Sequence, residues 1–121
     1  MFNIVETQKK LVAAALPSGF EKNVGEVLAE LARPFVDEVY TDVMGNVICH
    51  KKGDGKRLMM PAHMDTIGFM ATYIEDGGFV RFEGIGGHTP ITLVGVPVRF
   101  ESGVCGCIRL ANQGELLGKP A

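Results

Sequence analysis

Apolar residues along this chain change their period near residue 36, and the change divides it into two kinds of structure. Ahead of that point the spacing is helical. Residues 3–16 predict a first helix, with Asn3 as its cap and Leu11, Val12, Ala15 and Leu16 as an apolar stripe at its C-terminal end. Pro17 stops it, because the residue before a proline is pushed out of helical geometry. Ser18 then offers a new N-cap, and Glu21 three residues on completes a capping box. Val24, Val27, Leu28, Leu31 and Phe35 fall on one face of a second helix, which Pro34 closes.

Beyond that point short β-branched and aromatic runs alternate with turn residues. Val36 to Thr41 and Asn46 to Lys52 predict two strands around Met44-Gly45-Asn46. Leu58-Met59-Met60-Pro61-Ala62 is a short apolar run flanked by polar residues, which predicts a strand buried on both faces. Ile67 to Ile74 and Phe79 to Glu83 predict two more strands about Glu75-Asp76-Gly77-Gly78, and Val94 to Glu101 and Val104 to Leu110 a further pair about Ser102-Gly103. The simplest organisation is an α/β layer of two helices and a sheet over residues 1–70, running into a β-rich stretch, 71–121, that begins a small barrel or sandwich. The tail after Ala111 reads as a loop cut short.

Composition narrows the class of function. The 121 residues suffice for one ordinary domain, and 46% of them are apolar. A net charge of −2, spread in alternating signs, gives no basic field for nucleic acid or an anionic membrane. No apolar run nears the roughly 18 residues of a membrane span, and Glu6, Lys9 and Lys10 interrupt any signal-peptide core. Three cysteines, Cys49, Cys105 and Cys107, have no disulfide-framework spacing and with six methionines suit a reducing compartment, so a cytoplasmic protein is expected. The 16 glycines lie mostly after Gly53.

The chemistry concentrates in Pro61-Ala62-His63-Met64-Asp65. The carboxyl end of a strand in an α/β layer is where ligand sites collect. Residues two apart in an extended segment point to one side, so His63 and Asp65 are placed to face one cleft, with Met64 turned into the core. Imidazole is a good zinc ligand once a partner on the other ring nitrogen fixes its tautomer. Spacing leaves open whether Asp65 fixes the tautomer or orients a neighbouring ligand. A His-x-Asp by itself is common, and a histidine beside a strand end is more often simply hydrogen-bonded, so context has to decide.

Ser18-Gly19-Phe20-Glu21, Asp42-Val43-Met44-Gly45-Asn46, Ala62-His63-Met64-Asp65-Thr66-Ile67-Gly68-Phe69-Met70 and Gly86-Gly87 followed by Leu93-Val94-Gly95-Val96-Pro97-Val98 occur in this order. The series resembles the glutamyl, deblocking and tetrahedral aminopeptidases, which are dinuclear metallopeptidases, over nearly all of residues 10–110. The resemblance implies the N-terminal part of a metallo-exopeptidase α/β domain, two helices plus a mixed sheet, leading into the start of a small β-barrel assembly domain. It implies a peptide substrate, two divalent metal ions (zinc or cobalt) in the complete enzyme, and a homo-oligomer. His63 matches the family's first metal-binding histidine, and Asp65 the neighbouring aspartate that orients it and assists catalysis. Thr66 stands where the family usually has glutamate, a departure that bears on substrate preference and not on the ligand.

A two-metal site needs ligands from several strands, and the family takes the rest from beyond the barrel, so this chain is expected to be inactive alone. Other residues are weaker candidates. His50 lies beside Lys51 and Lys52, which disfavour another cation, and His88 has no acidic neighbour. Cys105 and Cys107 share a strand face but read as buried small hydrophobes. Gly84-Ile85-Gly86-Gly87 is no dinucleotide fingerprint, because no helix pattern follows it, and no serine sits in a nucleophile elbow. Glu75, Asp76 and Glu83 flank turns and read as solvated, which argues against a glycosidase pair. The alternatives are a non-catalytic assembly or binding module and, given how some relatives of that family are labelled, a glucanase.

Overall fold

Asn3 caps the first helix as its chemistry suggests: in the computed structural model, which describes residues 3–111, its side-chain oxygen accepts from the N–H groups of Val5 and Glu6. That helix, α1, spans Ile4–Ala14. Leu11 on it is half-buried, while Ile4, Val5 and Val12 remain exposed. The second helix, α2, spans Lys22–Ala32 and continues as a 3-10 turn, Arg33–Phe35, in which Pro34 ends the α-helical bonding. No capping box forms at its start. The Ser18 hydroxyl is used elsewhere, and Glu21 instead accepts from the Gly19 N–H with its side chain.

The chain divides after Gly86 into two compact units. In the first, α2 packs against α1 and against a hairpin of β1 (Glu38–Thr41) and β2 (Val47–His50). Asp42 organises the connecting turn: its carboxylate accepts from the Met44 and Asn46 backbone N–H groups and from the Asn46 side-chain amide. Val24 on α2, 2% exposed, anchors the core. Its neighbour Gly25 lets the helix lie close over Val47 and Met64, so Met64 does turn inward.

A longer hairpin, β3 (Gly68–Ile74) with β4 (Val80–Ile85), completes this unit. It carries a bulge between Ala71 and Tyr73, and Phe69 meets Phe82 edge-to-face at 4.8 Å between ring centres. Glu75 is paired and not simply solvated: it lies 2.6 Å from Arg81 across the turn.

The second unit holds a one-turn helix, α3 (Pro90–Leu93), which the sequence pattern gave no sign of, and the hairpin of β5 (Pro97–Arg99) with β6 (Cys105–Cys107). Ile108 is its buried apolar residue.

Two expectations about the sheet also fail. Leu58–Ala62 is not a strand: Leu58, Met59 and Met60 are 84%, 83% and 84% exposed. A strand is held by ladder bonds to a neighbour, and among the described residues none lies beside this run. Among the described residues the mixed sheet is also absent, replaced by three separate two-stranded antiparallel ladders, none of them closed into a barrel. Outside these ladders, an isolated parallel bridge joins Pro17 and Thr66. Among the described residues no helix is long and apolar enough to cross a membrane. The tail expected to be a loop, residues 112–121, lies outside the described residues.

Candidate functional site

The segment after Pro61 runs extended without entering a ladder, and its residues alternate as a strand's would. His63 and Asp65 point to one side and together line a cavity of about 310 Å³ with Ser18, Thr66, Ile67 and Gly86. His63 Nδ1 lies 3.0 Å from Asp65 Oδ1 and 3.2 Å from the Asp65 backbone carbonyl oxygen. The imidazole is otherwise open, with its side chain 87% exposed against 31% for Asp65.

The other oxygen of Asp65 is also engaged. Ser18 Oγ donates to Oδ2 at 2.5 Å. The Ser18 hydroxyl, and after it the hydrogen bond with His63, hold the Asp65 carboxyl below the usual carboxylate range. An ionised carboxylate can only accept, and so can a backbone carbonyl. Nδ1 of His63, facing both, therefore carries a proton, and in the neutral ring Nε2 is the nitrogen with the lone pair, directed away from Asp65.

His63, backed by Asp65, has the chemistry of one ligand to a metal ion and not of a complete donor set. A neutral imidazole whose Nδ1–H is held by a carboxylate and whose Nε2 is bare is the usual arrangement of a histidine that ligates zinc or a similar divalent ion. Among the described residues no third His, Cys, Asp or Glu clusters with the pair.

Ser18 is the cavity-lining partner of Asp65 that sequence reasoning missed. It reads as a helix cap because its local partner is visible in the sequence, whereas its actual partner is 47 residues away. The linker carrying it is fixed by the bridge of Pro17 to Thr66 and by the Thr66 N–H donating to the Leu16 carbonyl at 3.2 Å. Gly68 makes this approach possible, since a Cβ there would stand 2.2 Å from Pro17 Cγ.

None of the remaining candidates is among the described cavity-lining residues. His50 pairs across the β1–β2 ladder with Glu38 at 3.5 Å, and Lys52 shares that carboxylate at 3.1 Å. His88 belongs to the second unit. Cys105 and Cys107 do share a face of β6, but both are exposed, so they are not buried packing residues. Alternation along this hairpin sends Val98, Gly106 and Ile108 to the inner side and the two thiols outward.

Comparison with known proteins places this geometry in a family. The family model of the M42 glutamyl aminopeptidases matches residues 45–112, more than half of the chain. A putative aminopeptidase from Acetivibrio thermocellus is 42% identical over 108 residues, which cover 89% of this chain and 32% of that protein. Among solved structures, a TET aminopeptidase from a marine-sediment Thaumarchaeota archaeon superimposes with a TM-score of 0.79 at 36% identity, over 89% of this chain and 31% of its own. A Thermotoga maritima protein described as an endoglucanase gives 0.76 at 37%, over 84% and 33%. The chain thus spans about a third of the length of these relatives. With the matched residues, 45–112, running through the His63–Asp65 segment and the β3–β4 hairpin that follows it, the chain belongs to the M42 glutamyl aminopeptidase family.

Proposed function

We propose that this chain carries the first metal-ligand segment of a metal-dependent aminopeptidase that releases N-terminal residues from peptides. The observation that carries the reading is the placement of His63, with Nδ1 against Asp65 and the residue lining the cavity. Nε2 would hold one of two divalent ions, zinc or cobalt, and Asp65 would keep the ring proton on Nδ1. Such ions supply an acidified water and a polarised scissile carbonyl. Thr66, next to Asp65 on the cavity wall, adds no charge there, so selection of the N-terminal residue rests on other groups.

The rest of the ligand set belongs to the whole enzyme, since two-metal sites draw on several elements. By itself the 121-residue chain binds zinc weakly and does not hydrolyse aminoacyl-nitroanilides. In the same reading residues 1–70 contribute to the peptidase domain, residues 71–121 open a β-barrel used in assembly, and the protein works as a homo-oligomer in the cytoplasm. Two-stranded ladders with unpaired edges, as seen for β5 and β6, suit such association.

A second reading, a non-catalytic assembly module, is favoured by the contiguous exposed run Leu58–Met60. Calorimetric titration with zinc separates the two. Binding that disappears in His63→Ala supports the metallopeptidase segment; no zinc binding at any concentration supports the module; binding untouched by His63→Ala overturns the site. The glucanase reading is not favoured, because Asp65 is the only carboxylate among the described cavity-lining residues and glycoside hydrolysis uses a pair.

A further inference from the structure

The geometry points to Ser18 as a positioning residue that holds Asp65, and through it His63, in the orientation a metal requires. This rests on the proposed metal-ligand role of His63 and extends it to a residue on the linker between α1 and α2 that no comparison assigns.

A carboxylate bonded through one oxygen alone can turn about its last torsion, which is soft and two-fold. Such a turn moves Oδ1 off the His63 ring. Ser18 Oγ donates to Oδ2 while Oδ1 faces His63 Nδ1 at 3.0 Å, so both oxygens are tied and the plane of the carboxylate is set. The hydroxyl is itself placed by backbone, not by a floppy loop. The linker is locked to the segment after Asp65 by the Pro17–Thr66 bridge and the Thr66-to-Leu16 bond. It is turned back by Phe20 N–H donating to the Pro17 carbonyl at 3.0 Å, and steadied by Glu21 accepting from Gly19 N–H at 2.8 Å. Pro17 sits over Gly68 with no room for a Cβ between them. Two residues therefore set the Ser18 hydroxyl: the serine supplies it, and Gly68 sets how near it comes.

Partners that orient a metal-bound histidine typically change metal affinity by about 10–100-fold when removed. A group acting through that partner falls at the lower end, so Ser18→Ala should weaken zinc binding by roughly 10-fold. The test uses the 121-residue chain, with zinc affinity read from the His63 ring resonances by NMR, a readout that follows weak binding. The amide spectrum of each variant reports whether the fold is kept. Ser18→Ala and Gly68→Ala should each weaken binding, and Ser18→Thr, which keeps the hydroxyl at an exposed position, should restore it.

The decisive arm is a double-mutant cycle. In an Asp65→Ala background Ser18→Ala should cost nothing further, because the serine has lost the group through which it acts. A full penalty in that background, or wild-type affinity in Ser18→Ala while Asp65→Ala is weakened, overturns the assignment. His63→Ala, which has no ring to follow, is titrated by calorimetry beside the wild type: if its zinc affinity is unchanged the underlying metal reading fails instead, so the two failures are distinguished.

Discussion

His63 and Asp65 stand two residues apart, and Nδ1 of the one lies 3.0 Å from Oδ1 of the other, which leaves Nε2 as the outward-facing nitrogen. The partnership is asymmetric. Asp65 is partly covered and bonded on both oxygens, while the imidazole is nearly all in solvent. The carboxylate is the fixed member and the ring takes its orientation from it. Asp65→Ala is therefore expected to weaken zinc binding by about 10–100-fold without unfolding the chain, as checked by the same ring resonances together with circular dichroism. Unchanged affinity would mean that the ring is held by something else.

Gly68→Ala should also lower stability. A new Cβ 2.2 Å from Pro17 Cγ forces the linker outward or the β3 start inward. Overpacking of this kind costs about 1–3 kcal/mol. Urea unfolding would show a lower midpoint with an unchanged slope, and an unshifted midpoint would indicate that the linker yields freely.

Val24→Ala tests where the first unit keeps its core. The side chain is 2% exposed and lies on α2, the helix that packs against both α1 and the β1–β2 hairpin. Removing two methyl groups there is expected to destabilise by about 2 kcal/mol. Chemical denaturation followed by helix signal measures this directly.

Acid should destabilise the β1–β2 hairpin. The Lys52 backbone N–H holds the Asp37 carboxyl below its ordinary value, the Lys52 side chain does so for Glu38, and the Asn46 amide does so for Asp42. A carboxyl lowered in the folded state contributes stability that is complete above its unfolded value, 3.8 for aspartate and 4.5 for glutamate, and is lost as pH falls through the lower folded value. Melting temperature should thus hold level from pH 7 to about pH 5 and drop below about pH 4. Asp42→Asn should shrink the drop. A melting temperature that rises into acid would contradict the sign.

What could be read from sequence was whatever rested on near neighbours. Asn3 caps α1 because its acceptor meets N–H groups two and three residues on, and His63 with Asp65 needed only the two-residue alternation of extended backbone. The same logic misassigned Ser18, whose nearest chemical partner along the chain, Glu21, was not its partner in space. Leu58–Ala62 went wrong for a related reason: apolarity says what a segment tolerates, and strand formation depends on a neighbour that no period reveals. Cys105 and Cys107 were misplaced by parity. Once Ile108 takes the inner side of its hairpin, every second residue before it shares that side, and the two thiols at the positions between fall outside.

The bridge between Pro17 and Thr66 separates what the unfolded chain already possesses from what only folding provides. Imidazole and carboxylate are near each other in any conformation, since a single residue intervenes. The hydroxyl arrives only after 47 intervening steps of chain have been brought round, at the entropic expense of closing a long loop. A disordered or misfolded copy can therefore snatch at a cation with a swivelling ring, yet it lacks the third hand that would keep the grip steady.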